Sequence, residues 1–305
     1  MFILRAFADI VTREGPRPWS AGAGGLRRMS YGSDILLDTR TLVLRDVVCA
    51  GGCRHRSPEE CSGETHLVFP YQGVFVRHVG RQEAVAEANQ VAFFNAAEDY
   101  SISHPVDGGD ACLSLSMSEA LLAELAPTDR VKRRGPLAFD HQSRRIDPQA
   151  QALAATLRHG LRRGRTETLE AETLTLALVR RALGERTSHA TAGTFGRKKL
   201  VDRTKLVLAA DPARRWTLAE IATEVGVSPV YLTQVFRQVE GVPLYRYQLR
   251  LRLARALDML DRCEDLTALG LDLGFSSHSH FSAAFRQAYG RTPAEFRGST
   301  RSLAA

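Results

Sequence analysis

Four side chains able to hold a soft metal fall within fourteen residues: Cys53, His55, Cys61 and His66, with Cys112 further along on a strand-like segment. Thiolate and imidazole together suit zinc or copper(I). The spacing Cys-x-His-x5-Cys-x4-His matches no standard finger. Cysteine is also among the most readily buried residues, so loop thiols and a small apolar filler at Cys112 are the competing account. A metal-dependent barrel enzyme would need more, and the chain's one His-x-His is His278-x-His280, far from these residues.

A second constellation, between Trp216 and Arg297, is suited to reading nucleic acid, because it holds two copies of one device. In the first, Thr217 and Glu220 form a capping box ahead of Leu218, Ile221, Ala222 and Val225, and Gly226 supplies a turn. Ser228 then caps a helix opened by Pro229, whose Leu232, Val235 and Phe236 recur at buried spacing. In the second, Asp265 caps a helix running through Leu266, Leu269, Leu271 and Leu273 to Gly274. Ser277 caps the next helix, with Phe281, Ala284 and Phe285 inward until Gly290 ends it. The two capping serines lie 49 residues apart. Between the copies, Leu249, Leu253, Ala256, Leu257 and Leu260 mark one unbroken helix from about Leu244 to Leu260, able to hold two reading heads at a fixed distance.

Removing the buried positions leaves the candidates for base edges: Val230, Thr233 and Gln234 on the first reading helix, and His278, Ser279, Ser282 and Ala283 on the second. Phosphate contacts are expected from the helix N-termini at Ser228 and Ser277 and from Arg237, Arg246, Arg250, Arg286 and Arg291. An ordinary solvated helix face is the alternative for any one of these residues. Arg291 could instead close the final turn before Thr292-Pro293-Ala294-Glu295, itself another capping box.

The run TLAEIATEVGVSPVYLTQVFRQVEGVPLYRYQLRLRLARALDML, followed by DLTALGLDLGFSSHSHFSAAFRQAYGRTPAEFR, resembles the DNA-binding domain of AraC/XylS-type transcription regulators over about 100 residues. The resemblance implies a seven-helix domain whose two recognition helices enter successive major grooves on one face of double-stranded DNA, about one turn (~34 Å) apart. It further implies a regulator, activator or repressor, that works with RNA polymerase and responds to a small-molecule or metal effector. Family members usually carry Arg where Gln234 stands, and often where Ala283 stands. Gln234 is therefore expected to favour adenine, and Ala283 to give only apolar contact.

Charge distribution agrees. From Arg197 onward there are 17 Lys and Arg against 11 Asp and Glu, while the preceding residues have 24 against 23. The basic excess sits with the helix pairs, as phosphate neutralisation requires. Five cysteines are an odd number in a chain too long to need disulfides, so a reducing cytoplasm is the expected compartment. No apolar run approaches the ~18 residues of a membrane span.

The supporting elements follow in chain order. Residues 1–33 are rich in breakers and read as disordered or as a mis-assigned start, Met29 offering another initiation point. Short strand patterns at residues 41–46, Leu67-Val68-Phe69, Val74 to Arg77, Val91 to Phe94 and Cys112 to Leu115 are separated by glycines, the pattern of a small antiparallel barrel. They resemble the cupin-like barrel that regulators of this type often carry. Asp147-Pro148 opens a helix through Leu153, Leu157 and Leu161, and a second carries Leu169, Leu174, Leu176, Leu178 and Leu183. These two close the barrel's open side or pair two subunits into a homodimer.

The expected organisation is α+β and two-domain: a cupin-like antiparallel β-barrel plus helices over 34–187, a linker at 188–196, an all-α domain with two helix-turn-helix motifs over 197–298, and a tail at 299–305. The expected function is sequence-specific regulation of transcription, with the barrel sensing a ligand or dimerising and no catalysis. A metal-dependent cupin-type enzyme tethered to DNA is the alternative.

Overall fold

Residues 31–51, 54–126, 131–132, 137–184 and 194–301 are described by the computed structural model. Residues 1–30, Cys53 and most of the expected linker lie outside them.

The first half is built on antiparallel strands: β1 (Tyr31–Asp38), β2 (Leu42–Cys49), β3 (Glu60–Cys61), β4 (His66–Val79), β5 (Gln82–Glu87), β6 (Gln90–Phe94), β7 (Asp99–Ser103) and β8 (Asp110–Met117). A short helix α1 (Glu119–Leu125) and small strands β9 (Val131–Lys132), β10 (Ala138–Phe139) and β11 (Ser143–Arg145) follow. The sheet runs β1-β2-β8-β4-β6-β11. Two strands expected separately, at 67–69 and 74–77, are one: β4 continues for 14 residues through an irregularity between Pro70 and Gln72. Its first half pairs with β6 and β8 and its second half with β5 and β7, so the sheet folds over on itself there.

Because side chains alternate across a strand, each strand serves two cores. Leu67 and Phe69, with Leu44, Phe93, Leu113 and Leu115, pack against Leu122, Leu157, Leu178 and Val179 of the helices. Val68, Phe75, Ala92, Phe94 and Cys112 fill the opposite face.

Two helices come next. Asp147 caps α2 (Pro148–Arg162) through the Ala150 N–H, and α3 (Thr168–Leu183) packs beside it. Among the described residues seven helices follow: α4 (Phe195–Ala210), α5 (Leu218–Val225), α6 (Pro229–Glu240), α7 (Leu244–Met259), α8 (Leu266–Asp272), α9 (His278–Tyr289) and α10 (Pro293–Arg301). The expected tail thus begins inside α10.

Candidate nucleic-acid interface

Each reading helix is set by the local chemistry that its sequence carries. Thr217 and Glu220 close the capping box on α5, and Gly226 ends that helix at φ 73°, in the left-handed region that glycine tolerates. Hydrogen bonds from Thr217 and Arg214 hold the Glu220 carboxyl down to about 2, so the cap stays ionised. Ser228 accepts from the Tyr231 N–H to start α6. Leu232, Val235 and Phe236 are buried, which turns Val230 and Gln234 outward. Thr233 is half-buried and its hydroxyl bonds to the Val230 carbonyl, while Arg237 is exposed.

Asp265 caps α8 through the N–H groups of Thr267 and Ala268, and Ser277 caps α9 through His280. Phe281 and Phe285 are fully buried, leaving His278, Ser279, Ala283 and Arg286 exposed. Ser282 is half-buried, 3.3 Å from the ring of His278. His280 is tied to Ser276 and stands edge-on to Phe275, on the surface of α9 and not in the barrel. Tyr231 was missed by the sequence reading; it is 44% exposed beside Val230. Its position between apolar neighbours gave no periodic signal.

The arginines divide by location. Arg237, Arg246 and Arg286 are exposed. Arg291 lies 4.8 Å over the Phe296 ring and bonds to Ser299, so its charge is engaged locally. Arg250 departs from expectation. It is half-buried among Arg145, Asp147 and Tyr289, facing the first half of the chain, and burial lowers its pKa.

Helix α7 physically joins the two units. Its first half supplies Leu244, Tyr247 and Leu251 to the core of α4, α5 and α6. Its second half supplies Leu253, Ala256 and Leu257 to the core of α8, α9 and α10. From the same helix, Arg252 donates to the carbonyls of Pro212, Ala213 and Arg214 at 2.7–3.3 Å and to that of Gly274 at 3.3 Å, binding the approach to the first unit to the turn of the second. Gly274 has φ +82°, and a Cβ there would lie 2.0 Å from the Ala213 carbonyl oxygen. Two reading heads are therefore fastened backbone to backbone.

The barrel half grips this assembly through α2. Ala150 and Leu157 of that helix face the barrel, whereas Ala152 and Ala155 enter the core around Leu257, Phe281 and Phe285. Small residues there allow close helix approach. Buried Arg158 donates to Asp258 at 2.6 Å and covers the Tyr71 ring, and His159 meets the Leu257 carbonyl. Gln151 accepts from Tyr289, at the end of the second reading helix. On α4, Lys205 pairs with Glu240 at 2.7 Å.

The expected metal set does not converge among the described residues. His55 and Cys61 are exposed. His66 bonds to Ser62 and Glu64 and stacks on Phe94. The register sets Cys112 opposite Pro70 and His66 opposite Ser116, about 13 Å apart along the strands.

Residues 221–299 match a family model described as a helix-turn-helix domain. The HTH-type transcriptional regulator ArgR of Pseudomonas aeruginosa is 39% identical over 97 residues, which are 32% of this chain and 30% of that protein. A putative AraC-like transcription regulator of Streptomyces lividans is 30% identical over 196 residues, 62% of each. A solved transcriptional regulator with an AraC-type DNA-binding domain, from Chromobacterium violaceum, is 30% identical over 36% of this chain and 100% of that one, with a TM-score of 0.34. The chain spans between about a third and two thirds of the length of these curated relatives.

Proposed function

We propose that the chain is a sequence-specific transcription regulator whose carboxy-terminal region, which matches a helix-turn-helix model and is similar to AraC-like regulators, binds DNA. Its two recognition helices, α6 and α9, enter successive major grooves. The observation that carries this reading is the fastening of both units to α7 through Arg252 and the Ala213–Gly274 approach. A fixed separation serves two grooves at once, whereas two independent heads would lose affinity to orientational freedom.

On this reading Gln234, Thr233 and Val230 meet one groove and His278, Ser279, Ser282 and Ala283 the next. Arg237, Arg246 and Arg286, with the N-termini at Ser228 and Ser277, hold phosphates. The barrel half acts on DNA binding through α2, which touches the end of α9 at Gln151 and Tyr289. An effector in the barrel, or self-association through the exposed side of α3, would act along that path, and RNA polymerase is the downstream partner.

Selection of bound sequences from randomised duplex DNA by the full chain tests the proposal. Two conserved blocks centred about 10–10.5 base pairs apart are expected. Recovery of unrelated sequences would overturn it.

A further inference from the structure

Among the described residues, a further cluster of ligating side chains lies in the first half of the chain. Cys49, His104 and Asp110 are each buried, and one donor atom from each lies within 4.8 Å of the others. Three features build this site. Cys49 at the end of β2 pairs directly with Asp110 at the start of β8, so both side chains leave the same face of the sheet. Cys112, two residues further along β8, shares that face, and its thiol donates to the Asp110 carboxylate at 3.0 Å. The approach of the backbones is enforced by glycine: at Gly109, φ +67°, a Cβ would lie 2.0 Å from the Cys49 carbonyl oxygen.

His104 completes the arrangement. Its Nε2 is 2.5 Å from Asp110, while its Nδ1 is buried without a hydrogen-bond partner. The ring lies beside the Cys49 thiol. A carboxylate fixing one ring nitrogen while the other is left bare is how proteins orient a histidine toward a metal ion. A bare nitrogen in the interior is otherwise costly.

We propose that Cys49, His104 and Asp110 form a binding site for a thiophilic d10 cation, Zn²⁺ or Cu⁺, with the Cys112 thiol, held on Asp110, placed to swing in as a fourth donor. His104 Nδ1, the Cys49 sulfur and an Asp110 carboxylate oxygen are the donors, and each thiol that ligates enters as the thiolate, its proton leaving to solvent. Such a donor set suits soft and borderline ions over Mg²⁺ or Ca²⁺. The site is distinct from Cys61 and His66 and does not depend on the DNA-reading assignment.

The test uses the full chain, reduced and anaerobic, titrated separately with Zn²⁺ and Cu⁺ and desalted before elemental analysis. About one ion per chain should remain for one of the two metals. X-ray absorption of the loaded wild type should show one sulfur, or two if Cys112 swings in, at about 2.3 Å and nitrogen or oxygen at about 2.0 Å for zinc, which requires no variant to fold. Cys49→Ser and His104→Gln should each weaken retention at least tenfold, whereas Cys61→Ser and Cys263→Ser should not. The inference is overturned by loss of both metals on desalting, by a first shell without sulfur, by retention that survives Cys49→Ser, or by a Cys49–Cys112 disulfide that binds no metal after reduction.

Discussion

The Tyr247 phenol donates a hydrogen bond to the Glu87 carboxylate, joining α7 of the helical half to the end of β5 with both groups buried. The Asn89 N–H also donates to this carboxylate at 2.8 Å, and its side chain reaches the Tyr247 carbonyl. This is where the barrel touches the helix that carries both reading heads.

Glu87 makes that contact sensitive to pH. Burial pushes its carboxyl from 4.5 up to about 7, outweighing the hydrogen bonds from Tyr247 and Asn89 and the charge of Lys205. Asp202, on α4, is raised to about 6, mainly by burial. A raised acid is more protonated in the folded state, so its stabilisation is fully present below about 4.5 and is lost as pH rises through about 7. Thermal unfolding of the wild type should show a Glu87 contribution on the order of 3 kcal/mol fading across that window. Glu87→Gln should flatten the profile; an unchanged profile would remove Glu87 from the account.

Gly274→Ala should separate the two reading units. The added methyl meets the Ala213 carbonyl, and the left-handed backbone disfavours alanine, costing more than about 1 kcal/mol. Arg252→Lys should act similarly, since an ammonium cannot span the carbonyls held by the guanidinium fork. Both variants should bind selected sites at least tenfold more weakly by fluorescence anisotropy, and should discriminate less between sites with normal and altered block spacing. Undiminished spacing preference would contradict the fastening role.

Gln234→Ala and His278→Ala should each weaken binding to the preferred site by about 1–3 kcal/mol and leave binding to random DNA nearly intact. Arg286→Gln should weaken both and lower the salt slope by about one. Equal losses on both DNAs for Gln234→Ala would reassign it from base reading.

The helical half was legible because its signals are local: capping boxes at Thr217 and Thr292, serine caps at 228 and 277, glycine stops at 226 and 290, and apolar spacing along α7. Tertiary contacts were not. Ala152 and Ala155 carry too little apolar area to mark α2 as two-faced, and Arg250 reads as a surface charge until Arg145 and Asp147 are placed beside it. Strands β5 and β7 lacked strong apolar alternation. Cys49, His104 and Asp110 are brought together by strand pairing and a loop, so proximity in sequence pointed instead to Cys53, His55, Cys61 and His66.

Hydroxyl-radical footprinting of the full chain on its selected site tests the central claim most directly. Two protected patches should appear on one face of the duplex, about one helical turn apart, with the second lost preferentially in Ser279→Glu. A single protected groove, or protection indifferent to base order, would contradict the account.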